Sequence, residues 1–195
     1  MTSIVFAGIG GQGVITVSNI VGRAAVIEGK NAMMTELHGM AQRGGRISVD
    51  LRIGNYRNAI IPNGSADVIV AFEEMEAVRN IGKMKEDGII IINERRIHPI
   101  TLIRNAQNYP EKEMEEILSR FNVIRIRADE IALKLGSKKS VNMVMLGALY
   151  ASGTLELKEE SIMRAVEESF GSRYMEINKN AFLQGRNAMG REAVK

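Results

Sequence analysis

Short hydrophobic runs alternate with segments of helical periodicity along the first two thirds of the chain. Residues 3–7, 67–72 and 88–93 are largely apolar, which is typical of strands buried on both faces of a parallel sheet. Residues 14–28 repeat valine and alanine at helical spacing and end before Gly29, a residue suited to a helix C-cap. The pattern predicts a strand, a turn and a helix at the start of the chain.

Two further segments predict a second strand and a hairpin. Residues 31–35 follow the first helix, and this strand–turn–helix–strand order predicts a parallel, right-handed crossover. Residues 46–53 alternate apolar and polar side chains, as in a strand with one face in water. Gly54-Asn55 then precedes the apolar residues 59–61, which predicts a hairpin. The sheet is therefore expected to be mixed.

The rest of the chain is predicted to be mainly helical. An acidic segment, residues 73–84, begins a helix between two buried strands, and residues 122–126 form one more strand. Glycines then separate four helical segments, at residues 128–135, 141–151, 158–170 and about 177–188. Residues 143–150 are too hydrophobic to lie free in water, so this helix must pack on the sheet or on a partner. The fold class expected is α/β, with a Rossmann-like, mixed and mostly parallel sheet flanked by helices and a helical C-terminal third.

Composition narrows the classes of function. The 195 residues contain no cysteine, which excludes a disulfide framework and an iron–sulfur cluster bound by side chains of this chain. No repeat or proline-rich linker divides the sequence, so residues 1–195 are expected to form one domain. Basic residues are scattered among acidic ones, which argues against nucleic-acid binding. No apolar run reaches the roughly 20 residues of a membrane span, and a cytoplasmic protein without membrane contact is expected.

A glycine-rich motif lies between the first strand and the first helix. Gly8, Gly10 and Gly13 have the G-x-G-x-x-G spacing, and Gly11 and Gln12 belong to the same turn. In this context Gly8 permits a tight turn, Gly10 lets the backbone approach a phosphate, and Gly13 lets the helix pack on the strand. Exposed amides at the helix start would face an anion. The alternative is a glycine-rich turn without a ligand.

Glu36 is a candidate for contact with a ligand. It follows Gly13 at about the distance where a dinucleotide site places its ribose-binding acid. A local salt bridge with Arg43, Arg46 or Arg52 is an equally good interpretation.

Residues 36–45 form the most unusual segment of the sequence. They come just after a predicted strand, where open α/β sheets bind their ligands, and they include the guanidinium of Arg43 and glycines such as Gly44 that permit close approach of a ligand. The alternative is an ordinary surface loop. His38 has no other ligand at metal-binding spacing, so we predict no metal site.

The acidic helix start offers carboxylates but no clear catalytic arrangement. Glu73 and Glu76 would complement the helix N-terminus, and Glu76 can pair with Arg79 one turn later. This structural role is favoured over general acid–base catalysis. The chain has no nucleophile elbow, P-loop or H-E-x-x-H sequence, and we assign no catalytic residue.

Several ordered motifs together resemble one enzyme family. Residues 8–16 read GIGGQGVIT, residues 36–45 read ELHGMAQRGG and residues 72–79 read FEEMEAVR. They look like the γ-type subunit of 2-oxoacid:ferredoxin oxidoreductases, and residues 36–45 are most similar to the small, β subunit of indolepyruvate ferredoxin oxidoreductase. The likeness continues through residues 142–147 and 180–185, so it covers nearly the whole chain.

The resemblance implies an accessory subunit in an oxidative decarboxylation. A large partner would carry thiamine diphosphate and the iron–sulfur clusters, coenzyme A would take the acyl group, and ferredoxin would accept the electrons. No cofactor would be bound by this chain alone, and its glycine turn and residues 36–45 would face the partner's active site or the path of coenzyme A. The alternatives are a stand-alone NAD(P)- or FAD-binding oxidoreductase and a nucleotide-binding regulatory module.

Overall fold

A six-stranded mixed sheet forms the centre of the molecule. The computed structural model describes the backbone of residues 1–39, 45–98 and 108–192. The strands lie in the order β2-β3-β1-β4-β5-β6. Their bounds are β1 (Thr2–Ile9), β2 (Ala32–His38), β3 (Arg46–Ile53), β4 (Ala66–Ala71), β5 (Met84–Asn93) and β6 (Asn122–Ile126).

Helices cover both faces of this sheet. The described part of the chain contains seven α-helices, and three of them follow one another at the C-terminal end of the chain. They are α1 (Val14–Ile27), α2 (Glu74–Asn80), α3 (Glu111–Leu118), α4 (Ala128–Lys134), α5 (Val141–Ala151), α6 (Glu159–Phe170) and α7 (Met175–Glu192). The predicted fold class is confirmed, including the helical C-terminal third.

Strand direction divides the sheet into two parts. β1, β4, β5 and β6 are parallel neighbours, whereas β3 is antiparallel to both β1 and β2. β1 and β2 therefore run in the same direction, as predicted, but β3 lies between them. The helix α1 connects two strands that are not adjacent.

The hairpin predicted between residues 46–53 and residues 59–61 is wrong. β3 pairs with β2, which precedes it, and residues 59–61 are not a strand. The amide of Ile61 instead donates to Oδ2 of Asp50 over 2.9 Å, and Lys83 Nζ lies 2.7 Å from both oxygens of that buried carboxylate. A buried charge needs such partners, and residues 59–61 supply one of them as an irregular segment instead of a strand.

Two other boundaries differ from the prediction. The helix predicted at residues 73–84 ends at Asn80, because a 3₁₀ turn at Ile81–Lys83 leads directly into β5. α3 was not predicted, since it is a charged helix in which only Met114 and Leu118 are buried.

The core has one large and one smaller part. One face of the sheet packs against α1 and α4 to α7, and the other face packs against α2 and α3. α5 is buried from Val141 to Leu149, so the hydrophobic helix predicted here packs within its own domain.

The backbones of α5 and α7 touch where they cross. A Cβ atom added at Gly147 would lie 1.9 Å from the carbonyl oxygen of Phe182, and one at Gly185 would lie 1.9 Å from that of Val144. Only glycine allows helices to approach this closely.

Candidate functional site

The glycine turn lies at the carboxyl end of β1, beside the end of β4. From β1 the chain leads to β2 and β3 on one side of the sheet, and the later strands lie on the other side. This is the topological switch point, where open α/β sheets leave a crevice for ligands. The predicted order of strand, glycine turn and helix is present here, and the binding role of the turn stays a prediction.

Steric limits explain two of the glycines in the turn. A Cβ atom at Gly8 would lie 2.7 Å from both Oε1 of Gln12 and Cγ2 of Val14, so no larger residue fits there. Gly13 has a positive φ of 82° and is the N-cap of α1. Its nearest neighbour is Asn142 at the start of α5, rather than the strand β1. The turn requires Gly8 and Gly13 for its shape alone.

Gly11 is open to solvent, whereas the side chain of Gln12 is fully hydrogen-bonded. Gly11 also has a positive φ, of 98°, and it is exposed with open space around it. Gln12 accepts a hydrogen bond from the amide of Ile9 over 2.7 Å and donates one to the carbonyl oxygen of Phe72 over 3.2 Å. Its side chain therefore ties the turn to the end of β4, and both of its polar atoms are occupied.

The first turn of α1 presents free amides. It contains no acidic residue, and Gly13 offers no side chain as a cap. The amides of Val14, Ile15 and Thr16 have no hydrogen-bond partner within the part of the chain that the structure describes. Such amides, together with the helix dipole, favour a negatively charged group.

The loop between β2 and β3 meets this turn. The amide of Gly10 donates to the carbonyl oxygen of Gly45 over 2.9 Å, and that of Gly39 donates to Arg46 over the same distance. Both ends of the loop are thus held at the sheet edge where the glycine turn lies. Arg43 and Gly44 lie outside the described residues.

Glu36 is farther from the turn than a dinucleotide site requires. It lies on β2, and the strand β3 separates it from β1, which corresponds to about 10 Å at ordinary strand spacing. Its Oε2 atom lies 2.8 Å from Nε2 of His38. The salt bridge to Arg46 or Arg52 expected as an alternative is absent among the described residues, and the local partner of Glu36 is His38.

Acidic residues after β4 have structural partners. The carboxylate of Glu73 is 1% exposed and accepts hydrogen bonds from the amides of Glu76 and Ile97 and from the Tyr109 hydroxyl, over 3.1, 3.1 and 2.6 Å. Burial, followed by this bond to Glu73, raises the pKa of the Tyr109 hydroxyl. The predicted helix-capping role of Glu73 is confirmed.

The predicted pair of Glu76 and Arg79 is also present. Burial raises the pKa of the Glu76 carboxyl, and the charge of Arg79 lowers it by a smaller amount. The other carboxylate of this segment, Glu74, pairs with Arg96 and Arg125. These carboxylates are held by partners within the protein.

Sequence reasoning missed Asn142 as a candidate site residue. It lies at the start of α5, is 7% exposed and contacts Gly13. The only sequence signal was its place in the motif at residues 142–147, which suggested no role.

The described residues contain no candidate metal centre and no helix suited to span a membrane. No group of three or more histidine, aspartate or glutamate side chains there could hold a metal ion. None of the described helices is both long and apolar enough to cross a bilayer.

The fold and the turn define a Rossmann-like α/β domain with free amides at the start of its first helix. A family model described as pyruvate ferredoxin/flavodoxin oxidoreductase matches residues 3–188. The chain belongs to the pyruvate ferredoxin/flavodoxin oxidoreductase family, which confirms the resemblance inferred from its motifs.

Relatives along the whole chain are subunits of such enzymes. The chain is 42% identical over 191 residues to the indolepyruvate oxidoreductase subunit IorB of Methanothermobacter thermautotrophicus, covering 95% of this chain and 96% of that protein. The chain is thus homologous to the small subunit of 2-oxoacid:ferredoxin oxidoreductases. A stand-alone NAD(P) or FAD enzyme and a regulatory module are not favoured.

Solved structures share the fold. The γ subunit of a keto/oxoacid ferredoxin oxidoreductase from Geobacter sulfurreducens superimposes with a TM-score of 0.72 at 22% identity, covering 98% of this chain and 99% of that one. A 2-oxoglutarate:ferredoxin oxidoreductase from Magnetococcus marinus, with 2-oxoglutarate, coenzyme A and succinyl-CoA bound, gives 0.77 at 20% identity. It matches 97% of this chain but only 31% of its own, so the same fold occurs there within a much longer chain.

Proposed function

We propose that this chain is the accessory subunit of a cytoplasmic oxidoreductase that converts indolepyruvate, or another aryl 2-oxoacid, to an acyl-CoA. In this reaction the 2-oxoacid loses carbon dioxide, its acyl group passes to coenzyme A, and two electrons pass to ferredoxin. The similarity to an indolepyruvate oxidoreductase subunit over nearly the whole chain supports this choice of substrate.

The redox chemistry would belong to a large partner subunit. A chain without cysteine cannot hold a conventional iron–sulfur cluster by itself. The partner would bind thiamine diphosphate and the clusters, and it would pass electrons to ferredoxin. The small chain would bind and orient a substrate at the boundary between the subunits.

Within this assembly the glycine turn would receive a phosphate group of coenzyme A. The observation that carries this assignment is the set of unpartnered amides in the first turn of α1, at the switch point of the sheet. Gly10, Gly11 and Gly13 would permit close approach of the ligand, whereas Gly8 and Gln12 would fix the turn. A coenzyme A-bound structure with the same fold supports this ligand class.

Arg43 and Gly44 would face the same ligand or the partner. Gly45, the residue that follows them, accepts a hydrogen bond from the amide of Gly10 in the turn. Glu36 would then orient the loop through His38 instead of binding a ribose.

A substitution at Gly10 tests the proposed site. Gly10 is not among the glycines with positive φ, so valine is compatible with its backbone, but its side chain would obstruct approach to the turn. In the complex reconstituted with the large subunit, we expect Gly10→Val to raise KM for coenzyme A at least tenfold, or about 1.4 kcal/mol. The assay follows ferredoxin reduction with indolepyruvate.

Gly82→Val is the matched control. Gly82 also lacks a positive φ and has open space for a side chain, but it precedes β5 and so lies at the amino ends of the parallel strands, opposite the glycine turn. Its KM for coenzyme A should equal that of the parent. An unchanged KM in Gly10→Val, with normal folding and assembly, would argue against the turn as the coenzyme A site.

A further inference from the structure

Two helices begin side by side at the glycine turn. Gly13 is the N-cap of α1, and a Cβ atom added there would lie 3.1 Å from both Cβ and Nδ2 of Asn142. Asn142 is the second residue of α5. The amino-terminal ends of α1 and α5 therefore meet, and the positive ends of both helix dipoles lie at the same place.

The side-chain amide of Asn142 has a defined orientation. Its Oδ1 atom accepts a hydrogen bond from the amide of Met143 over 2.8 Å, which leaves Nδ2 as the free end. Nδ2 has no acceptor within the described ranges, although the residue is only 7% exposed.

The free amide is reachable from outside. Among the described residues, the only fully buried side-chain nitrogen or oxygen without a partner is Nε of Arg52. Nδ2 of Asn142 therefore keeps some contact with solvent. It is a hydrogen-bond donor of fixed orientation at the edge of the glycine turn, where an acceptor from solution can reach it.

Charge around the amide identifies the kind of acceptor. Lys138 and Lys139 belong to the 3₁₀ turn directly before α5, and both are exposed. Neither forms an ion pair with a described residue. At a rise of about 2 Å per residue, Lys139 lies about 6 Å along the chain from Asn142. Two free cations beside two helix N-termini favour a phosphate ester or a pyrophosphate over a neutral acceptor.

We infer that Asn142 is a positioning residue that donates a hydrogen bond from Nδ2 to a phosphate oxygen held at the glycine turn. Lys138 and Lys139 supply long-range attraction and neutralise a second negative charge. This inference rests on the proposed function, since it concerns the same anion site, and it adds α5 as the second wall of that site. The ligand class is a phosphate or pyrophosphate of a small molecule, whether that of coenzyme A or of another nucleotide.

A titration of the full-length chain with inorganic pyrophosphate tests the inference. In ¹H–¹⁵N NMR spectra, the side-chain NH₂ signal of Asn142 and the backbone signals of Val14 and Ile15 should shift together with one Kd. Shifts of the backbone signals without the Asn142 side chain would overturn the role of this residue. The absence of any saturable shift would overturn the anion site itself.

Substitutions distinguish a role of Asn142 in ligand binding from a role in packing. Asn142→Asp keeps the shape of the side chain but replaces the donor by a negative charge, so the Kd for pyrophosphate should rise at least tenfold. Asn178→Asp is the control, since Asn178 is equally buried, at 6% exposure, but lies on α7. Lys138→Gln with Lys139→Gln should reduce the dependence of the Kd on salt. If Asn142→Asp fails to fold, the NMR titration of the parent still decides the question.

The same variants in the reconstituted complex keep the two proposals apart. A rise in KM for coenzyme A with unchanged kcat in Asn142→Asp supports both. Loss of pyrophosphate binding with an unchanged KM supports the phosphate site and contradicts its assignment to coenzyme A. A raised KM in Gly10→Val with an unchanged KM in Asn142→Asp supports the proposed function and overturns the role of Asn142.

Discussion

The crossing of α5 and α7 gives the strongest prediction for stability. Gly185→Ala adds one methyl group to a helix interior, which normally stabilises a helix by about 1 kcal/mol. At this position, however, the new Cβ atom would lie 1.9 Å from the carbonyl oxygen of Val144. The obstacle is backbone, so a change of side-chain rotamer cannot relieve it.

The cost follows from how far the helices must move. Restoring an ordinary contact of about 3.4 Å requires a separation of about 1.5 Å at the crossing. α5 is buried all round, so this movement disturbs packing along its length. Overpacking of this kind costs about 3 kcal/mol, and after the gain in helix propensity the net loss is about 2 kcal/mol. For a chain of this size the melting temperature should fall by about 4–8 °C.

Urea unfolding followed by circular dichroism measures this difference, and the same helix offers a control. Gly190 is also in α7, but no atom lies within 4 Å of a Cβ added there. Gly190→Ala should therefore stabilise the protein by about 0.5–1 kcal/mol. Equal effects of the two substitutions, or a Gly185→Ala variant more stable than the parent, would refute the reasoning.

Two further predictions concern the acidic segment after β4. Because burial raises the pKa of Glu76, the folded chain binds more protons at this carboxyl than the unfolded chain does. The carboxyl therefore lowers the free energy of unfolding as the pH rises above its ordinary pKa. Glu76→Gln should thus show a smaller decline in unfolding free energy between pH 4 and pH 7 than the parent, and an equal decline would contradict the shift. Tyr109→Phe removes the 2.6 Å hydrogen bond to Glu73 and should cost about 1–3 kcal/mol in urea unfolding at pH 7. An unchanged free energy of unfolding would mean that the amides of Glu76 and Ile97 are sufficient partners for the Glu73 carboxylate.

The elements of the fold were predictable because burial leaves a local signal. β6 (Asn122–Ile126) and α5 (Val141–Ala151) have the predicted bounds. For α5 the reason is that a helix covered on nearly all sides requires an almost unbroken apolar run. α3 lacks this signal because it buries only two residues.

Strand pairing was less predictable than strand position. Alternation in β3 indicated one wet face, but nothing local determined that β3 would pair with both β1 and β2. The buried carboxylate of Asp50 explains why residues 59–61 do not form the second arm of a hairpin. Its partner Lys83 is distant in sequence, so a local pattern could not predict it.

The candidate site was predictable only in part. The glycine spacing located the turn, because tight turns place steric demands on individual positions. Asn142 escaped notice because its contact with Gly13 depends on how α5 packs against α1. Local sequence also could not show that Glu36 would be separated from the turn by a strand.

The crossing of α5 and α7 also affects how the chain is made. α7 leaves the ribosome after α5, and it supplies Ala181, Phe182 and Met189 to the interior. Until α7 emerges, the apolar side of α5 that it covers stays exposed. The nascent chain is therefore partly folded and prone to aggregation during this time. We therefore expect early termination within α7 to yield aggregated chains, and we expect α5 to reach its native packing only after α7 has been synthesised.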